Sequence, residues 1–289
     1  MQRRSFALDS CRFFEDRVHG ASSHAPIVDV LRCVLWSKEL DTAVAAAKMA
    51  AELALRYQPE IIAETKPDKS PVTQADRECE RMIARMLSDA FPDDGIMGEE
   101  GARADSRSGR RWIIDPIDGT RDYVRGNPLW ANLIALEADG DVAVGVVNLP
   151  VLDKLYTGSR GGGAYCNNSG IHASAKTSVE ESVLCVNGYD KMAALPFREQ
   201  LLDWMARFWA VRGLGGAADA MMVASGVAEI WIEPVASPWD FAPHKVILEE
   251  AGARYLNMDG GSTIYAGNAI GCAPGLEREV RRLLGLESS

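Results

Sequence analysis

The stretch Trp112-Ile113-Ile114-Asp115-Pro116-Ile117-Asp118-Gly119-Thr120-Arg121-Asp122-Tyr123 decides how this chain is read. Trp112 to Ile114 is a short apolar run of the kind that forms a buried strand. Asp115 ends it, directly before Pro116, and a residue before proline is pushed out of the helical region into extended backbone. Asp118 follows three residues later, then Gly119 and Thr120. Two carboxylates at the end of a buried strand repel each other and resist burial, unless a cation lies between them. Gly119 lets the backbone pass close to a ligand, and Thr120 suits the start of a helix whose free amides favour an anion. Cation ligands beside an anion site suggest metal-dependent chemistry on a phosphate. A polar turn with an Asp cap is the competing reading of the two aspartates alone.

The chain has 289 residues, enough for one large domain or two halves sharing a core. A net charge of −10 leaves no broad basic face, which argues against a nucleic-acid partner. No run is long enough to span a bilayer, and no apolar signal core follows Arg3 and Arg4. Cys11, Cys33, Cys79, Cys166, Cys185 and Cys272 show neither a C-x-x-C pair nor zinc spacing, and read as free thiols of a reducing compartment. A cytoplasmic location is the expectation.

Residues 1–36 read as an N-terminal extension, with 27–36 apolar enough to pack. Alanines recur at helical spacing from Leu40 to Tyr57, and Pro59 ends that helix. A polar loop, Thr65 to Pro71, leads to a helix over about 74–90, with Thr73 and Asp76 as its capping box. Ile96-Met97 is a short apolar step before Gly98-Glu99-Glu100. Strands are expected over 129–137, 142–148 and 154–157, and Gly161-Gly162-Gly163 reads as a hairpin turn rather than a phosphate loop, since no Lys-Ser or Lys-Thr follows. Past Ala175 the expected order is strand 182–187, helix 196–208, strand 210–212, helix 217–225, strand 229–233, helix 241–251, strands 253–258 and 269–273, and helix 277–284. This irregular mixture predicts an α/β protein of layered α+β type. Residues 37–174 would form one half, carrying the metal site, and 175–289 a second half completing the pocket within a single catalytic domain.

Singly, the glutamates at 99 and 100 could be solvated and Asp240 could be an N-cap. Together, Gly98-Glu99-Glu100, the stretch from Trp112 to Thr120, and Trp239-Asp240 resemble the inositol monophosphatase family of magnesium-dependent, lithium-sensitive phosphatases, over roughly residues 40 to 284. The resemblance implies an alternating α-β-α-β-α sandwich, two or three Mg2+ ions per site, a small phosphomonoester substrate and a homodimer. It implies that Glu99, Asp115, Asp118, Asp240 and the main-chain carbonyl of Ile117 hold the metals, and that Thr120 orients the attacking water alongside Glu99. It further implies that Asp118, Gly119, Thr120, Arg212, Gly215, Ala217, Glu233 and Asp240 contact the substrate, the amides of Gly119 and Thr120 holding its phosphate.

Ser70-Pro71-Val72-Thr73 stands where many animal members have Asp-x-Val-Thr, so Ser70 brings no carboxylate to that place. The form Lys66-Pro67-Asp68-Lys69-Ser70-Pro71-Val72-Thr73-Gln74-Ala75-Asp76, with Val124 to Ala131 and Leu133 to Leu136, is similar to the bacterial and plant histidinol-phosphate phosphatases of the family. That branch often carries an acidic residue where this chain has Gly216. Histidinol phosphate is the leading substrate on motif style and inositol monophosphate the alternative. The wider superfamily adds bisphosphate nucleotidases and fructose bisphosphatases, and a catalytically silent binding module is the reading from another class.

Overall fold

The computed structural model describes residues 36–67 and 69–286. The extension at residues 1–36, Trp36 aside, lies outside the described residues, as do Cys11 and Cys33. Seven helices are described: α1 (Ser37–Tyr57), α2 (Gln74–Ala90), α3 (Thr120–Val124), α4 (Arg198–Met205), α5 (Gly216–Ala224), α6 (Pro238–Glu250) and α7 (Glu277–Leu283). None is long and apolar enough to cross a membrane.

Two mixed sheets organise them. The larger has eight strands in the order 169–170, 163–166, 154–159, 141–149, 131–138, 111–118, 95–98 and 103–104. The smaller has five, in the order 210–212, 183–186, 230–233, 269–272 and 254–256. Strand alternation sorts the side chains into layers. Trp112, Ile114, Ile134 and Leu136 face α1 and α2, while Ile113, Leu133 and Ala135 face α5 and α6. Trp231 of the smaller sheet meets that same middle layer through Phe241, and its neighbours Ile230 and Ile232 turn outward to Leu201 of α4 and Val280 of α7. The result is helices, sheet, helices, sheet, helices, the layering that the family resemblance implies. α1 presents Ala43, Ala46, Ala47, Ala50, Ala51 and Ala54 to the core. With so little side-chain volume its backbone lies close to the sheet.

The glycine run behaves as a hairpin: Ser159 pairs with Gly163 across it. Its amides at Gly161 and Gly163 are taken by Glu250 at the end of α6, at 2.7 and 2.8 Å. Cys79, Cys166, Cys185 and Cys272 are free thiols.

Candidate metal and phosphate site

The strand 111–118 carries the first two carboxylates, and its pairing breaks where they stand. Asp115 is opposite Leu133 and Asp118 opposite Ala131, so Pro116 and Ile117 bulge against the single Asn132. The Asp115 carboxylate accepts from the Ile117 amide at 3.0 Å, closing a local turn. The Ile117 side chain is buried among the α1 and α2 residues, so the face it gives to the cavity is backbone. Gly119 then takes a left-handed φ of 79°, with the carbonyl of Leu129 only 3.2 Å from where a Cβ would stand. Glycine is required there on both counts.

Asp240 arrives from 122 residues further along, at the start of α6. One oxygen of its carboxylate accepts from the Ser237 amide at 2.6 Å, the capping role available from sequence. The other role is tertiary: carboxylate oxygens of Asp115, Asp118 and Asp240 lie within 4.8 Å of one another. Asp115 is within hydrogen-bonding reach of both Glu99 and Asp240. Glu99 sits on the turn after strand 95–98, and that turn is held from below by Glu80 of α2. Glu80 is buried and accepts from the amides of Glu100 and Ala102 at 2.7 and 2.6 Å. A Cβ on Gly98 would fall 2.3 Å from the Glu80 carboxylate, so this support needs glycine at 98. Lys66, at the tip of the ribbon formed by 63–65 and 71–73, reaches Glu99 at 2.8 Å and Glu100 at 2.5 Å.

Glu99, Asp115, Asp118 and Asp240 line a cavity of about 640 Å³ with Ser70, Gly119, Thr120, Gly215, Gly216 and Glu233. The backbone N–H of Ala217, in the first turn of α5, faces Asp118 and favours its charged form. Glu233, 6% exposed, faces the carboxylate cluster from the smaller sheet and is held by Asn187 Nδ2 at 2.6 Å. A Cβ on Gly216 would come within 3.3 Å of it. Arg212 is not among the lining residues: its guanidinium is exposed and donates to the Val211 carbonyl at 2.8 Å. Arg212 shares the sheet face of Cys185 and Trp231 but ends an edge strand, where it stays exposed, and the charged residues of the cavity lining include Arg121, Asp190 and Lys191.

Some contributors were not read from the sequence. Asn187, and the pair Asp190 and Lys191 on the 3-10 turn Tyr189–Ala194, fall where no periodicity marks a ligand wall. Asp76 was read as a cap, and it is one: Oδ2 accepts from the Thr73 amide and hydroxyl at 2.8 and 2.5 Å. Its Oδ1, however, accepts from Thr120 Oγ1 at 3.2 Å, across 44 residues. A carboxylate has capacity for both bonds. The signal lay in that spare oxygen, but only the fold shows where it points.

Burial, followed by mutual repulsion, governs the titration here. It pushes Asp118 up to about 8, Asp240 to about 6, and Asp115 well above the usual carboxylate range. Such a group is protonated more readily in the folded chain than in the unfolded one, where its pKa is about 4. Its stabilising contribution is complete below that unfolded value and is lost as pH rises through the folded one. The metal-free protein is therefore expected to lose stability between about pH 5 and pH 8. Added magnesium should restore more at the upper end, because protons no longer compete with it. Melting curves in chelator and in magnesium at both pH values check this; a metal-free melting temperature that rises over the range would contradict it.

The cluster suits a hard divalent cation. Its donors are all oxygens, with no thiol among them, and a cation would relieve the repulsion that raises these pKa values.

The family model described as the inositol monophosphatase family matches residues 36–284, and the chain belongs to that family. It is a phosphoric monoester hydrolase. A histidinol-phosphatase from Chlorobaculum parvum is 38% identical over 242 residues, covering 81% of this chain and 93% of the relative. An inositol-1-monophosphatase from Mesorhizobium japonicum is 37% identical over 209 residues, covering 69% and 79%. Among solved structures, the extragenic suppressor protein suhB from Bartonella henselae is 30% identical and superposes with a TM-score of 0.79, covering 86% of this chain and 98% of its own.

Proposed function

We propose that this protein is a magnesium-dependent, lithium-sensitive histidinol-phosphate phosphatase of the inositol monophosphatase family that acts as a homodimer. The observation that carries the reading is a cavity with an acidic cluster on one wall, Asp115 buried and Asp118 and Asp240 half-buried, and Glu233 on the other. The relatives named histidinol-phosphatase, at 38% identity, support the substrate; inositol 1-phosphate is the second reading, supported by the relative from Mesorhizobium japonicum.

Glu99, Asp115, Asp118, Asp240 and the Ile117 carbonyl would hold the metal. When bound, such ions neutralise phosphate charge, lower the pKa of a bound water and stabilise the departing alkoxide. The chain's own residues do the rest. Thr120 accepts the proton of a water oriented with Glu99 and can pass its own to Asp76, with which it is already bonded. The amides of Gly119 and Thr120 bind phosphate oxygens. α3 has only five residues, so these local N–H groups rather than a helix dipole supply the attraction. Lys66 holds Glu99.

Across the cavity, burial pushes Glu233 up to about 8. An ammonium placed against it would stabilise the charged carboxylate, a stronger pairing than a hydroxyl can make. Asp190 adds a second acceptor on that wall. Turnover of histidinol phosphate and inositol 1-phosphate with magnesium, before and after Glu233→Gln, tests the assignment. The change keeps an acceptor but removes the charge. It is expected to raise the KM for histidinol phosphate about tenfold or more, leaving a neutral-alcohol phosphate within about twofold. Equal effects on both substrates would sink the ammonium role of Glu233, and preferential turnover of inositol 1-phosphate would favour the second reading.

A further inference from the structure

We propose that Asn132 is a positioning residue for the metal-binding loop, bracing the Pro116–Ile117 peptide from the side opposite the cavity. The inference rests on the magnesium reading above. The bulge sets up the need. Pro116 has no N–H, and its carbonyl stands where the ladder to strand 131–138 is interrupted. A buried carbonyl in that position needs a donor. Asn132, fully buried, supplies one: its Nδ2 donates to the Pro116 carbonyl at 2.7 Å.

The amide's direction is fixed by a second asparagine. Asn148 stands directly opposite Asn132 on strand 141–149. Its Nδ2 donates to Asn132 Oδ1 at 3.2 Å and also approaches the Ala47 carbonyl of α1 at 3.4 Å. Backbone carbonyls accept only, so the Nδ2 end of each side chain must face its carbonyl and Asn132 has one workable orientation. The alanine face of α1 leaves room for this polar pair in an otherwise apolar layer.

The peptide so held is the hinge of the site. Its amide, on Ile117, is taken by Asp115 Oδ1, and the next carbonyl, on Ile117, lies 3.2 Å from Thr120 Oγ1 and shares that hydroxyl's one proton with Asp76. Asp115, Ile117 and Thr120 thus depend on one peptide plane, and Asn132 fixes that plane without touching the cavity. Loosening it should misplace oxygen donors for an ion that demands near-ideal geometry.

Magnesium binding measured by calorimetry on the full chain without substrate tests this, alongside kcat, KM and melting in chelator. Asn132→Leu is expected to weaken magnesium binding about tenfold, the range seen when outer supports of metal ligands are removed. KM for the phosphomonoester at saturating magnesium should stay within about twofold. Asn148→Ala keeps the Pro116 bond but frees the amide to rotate, and should give a smaller shift in the same direction. A lower melting temperature with magnesium affinity unchanged would show a purely structural role and overturn the proposal. If Asn132→Leu does not fold, unchanged affinity in Asn148→Ala overturns it. Wild-type protein that takes up no magnesium would overturn the magnesium reading and this proposal together.

Discussion

Replacing Asp118 by Asn is expected to abolish turnover, by about a thousandfold or more, while leaving the fold intact. Asparagine is nearly isosteric, so the Ala217 amide keeps an acceptor at this place and the middle layer is not disturbed. What disappears is one of the three charges that gather within 4.8 Å. With metal present, that loss removes a hard anionic ligand from a site whose affinity follows ligand charge. Without metal the sign reverses. Asp118 is pushed up to about 8 by burial and by Asp240 and Glu99, so at neutral pH the wild-type protein bears the cost of either burying its charge or holding a proton there. The Asn variant should melt higher than wild type in chelator and show little gain on adding magnesium. Wild-type activity in Asp118→Asn would remove Asp118 from the ligand set.

The second large effect is expected far from any charge, at Gly145. This residue lies on strand 141–149 beneath α6, and the backbone of that helix rests on it. A Cβ there would stand 2.6 Å from Val246 Cγ1, 2.7 Å from the Pro243 carbonyl and 3.0 Å from Pro243 Cα. Val246 could rotate away, but the Pro243 backbone can retreat only if α6 moves. Gly158 on the next strand makes the same demand, its Cβ position 3.0 Å from Ile247 Cα. α6 is the element that carries Asp240, so a shift of the helix carries that carboxylate out of the cluster. Gly145→Val should destabilise the protein by about 3 kcal/mol or more, as overpacking of a tight core does. It should also weaken magnesium binding in whatever fraction remains folded. Gly170→Ala, at a site with no atom within 4 Å and no positive φ, is the control and should change neither. Near-wild-type melting for Gly145→Val would mean that the helix is not seated as described.

What the sequence disclosed follows from how local each determinant is. The strand ending at Asp115 and Asp118, the α1 alanine spacing and the Thr73 cap depend on residues within a turn or two of one another. Periodicity and turn chemistry express them directly. The grouping of Asp240 with Asp115 was legible only through the family resemblance, because a 125-residue separation leaves no local trace. Asp76 shows the limit from the other side. Its cap was correct, and that sufficient local explanation hid the bond to Thr120. Arg212 stands apart from the cavity lining because it ends an edge strand of the smaller sheet, which its place beside the glycine loop does not disclose. Asn132 and Asn148 look like two polar residues in apolar strands until the register places them face to face. Gly145 likewise reads as a weak point in a strand until a helix is laid upon it.

Asp115, Asp118 and Asp240, with Glu99, are expected to hold the divalent cation beside the phosphate. Anomalous diffraction from crystals soaked in manganese, as a stand-in for magnesium, together with inorganic phosphate tests it most directly. A manganese peak bounded by those carboxylates at about 2.0–2.2 Å is expected, with phosphate density against the Gly119 and Thr120 amides. Crystals that take up manganese elsewhere and leave this cluster without a peak would contradict it.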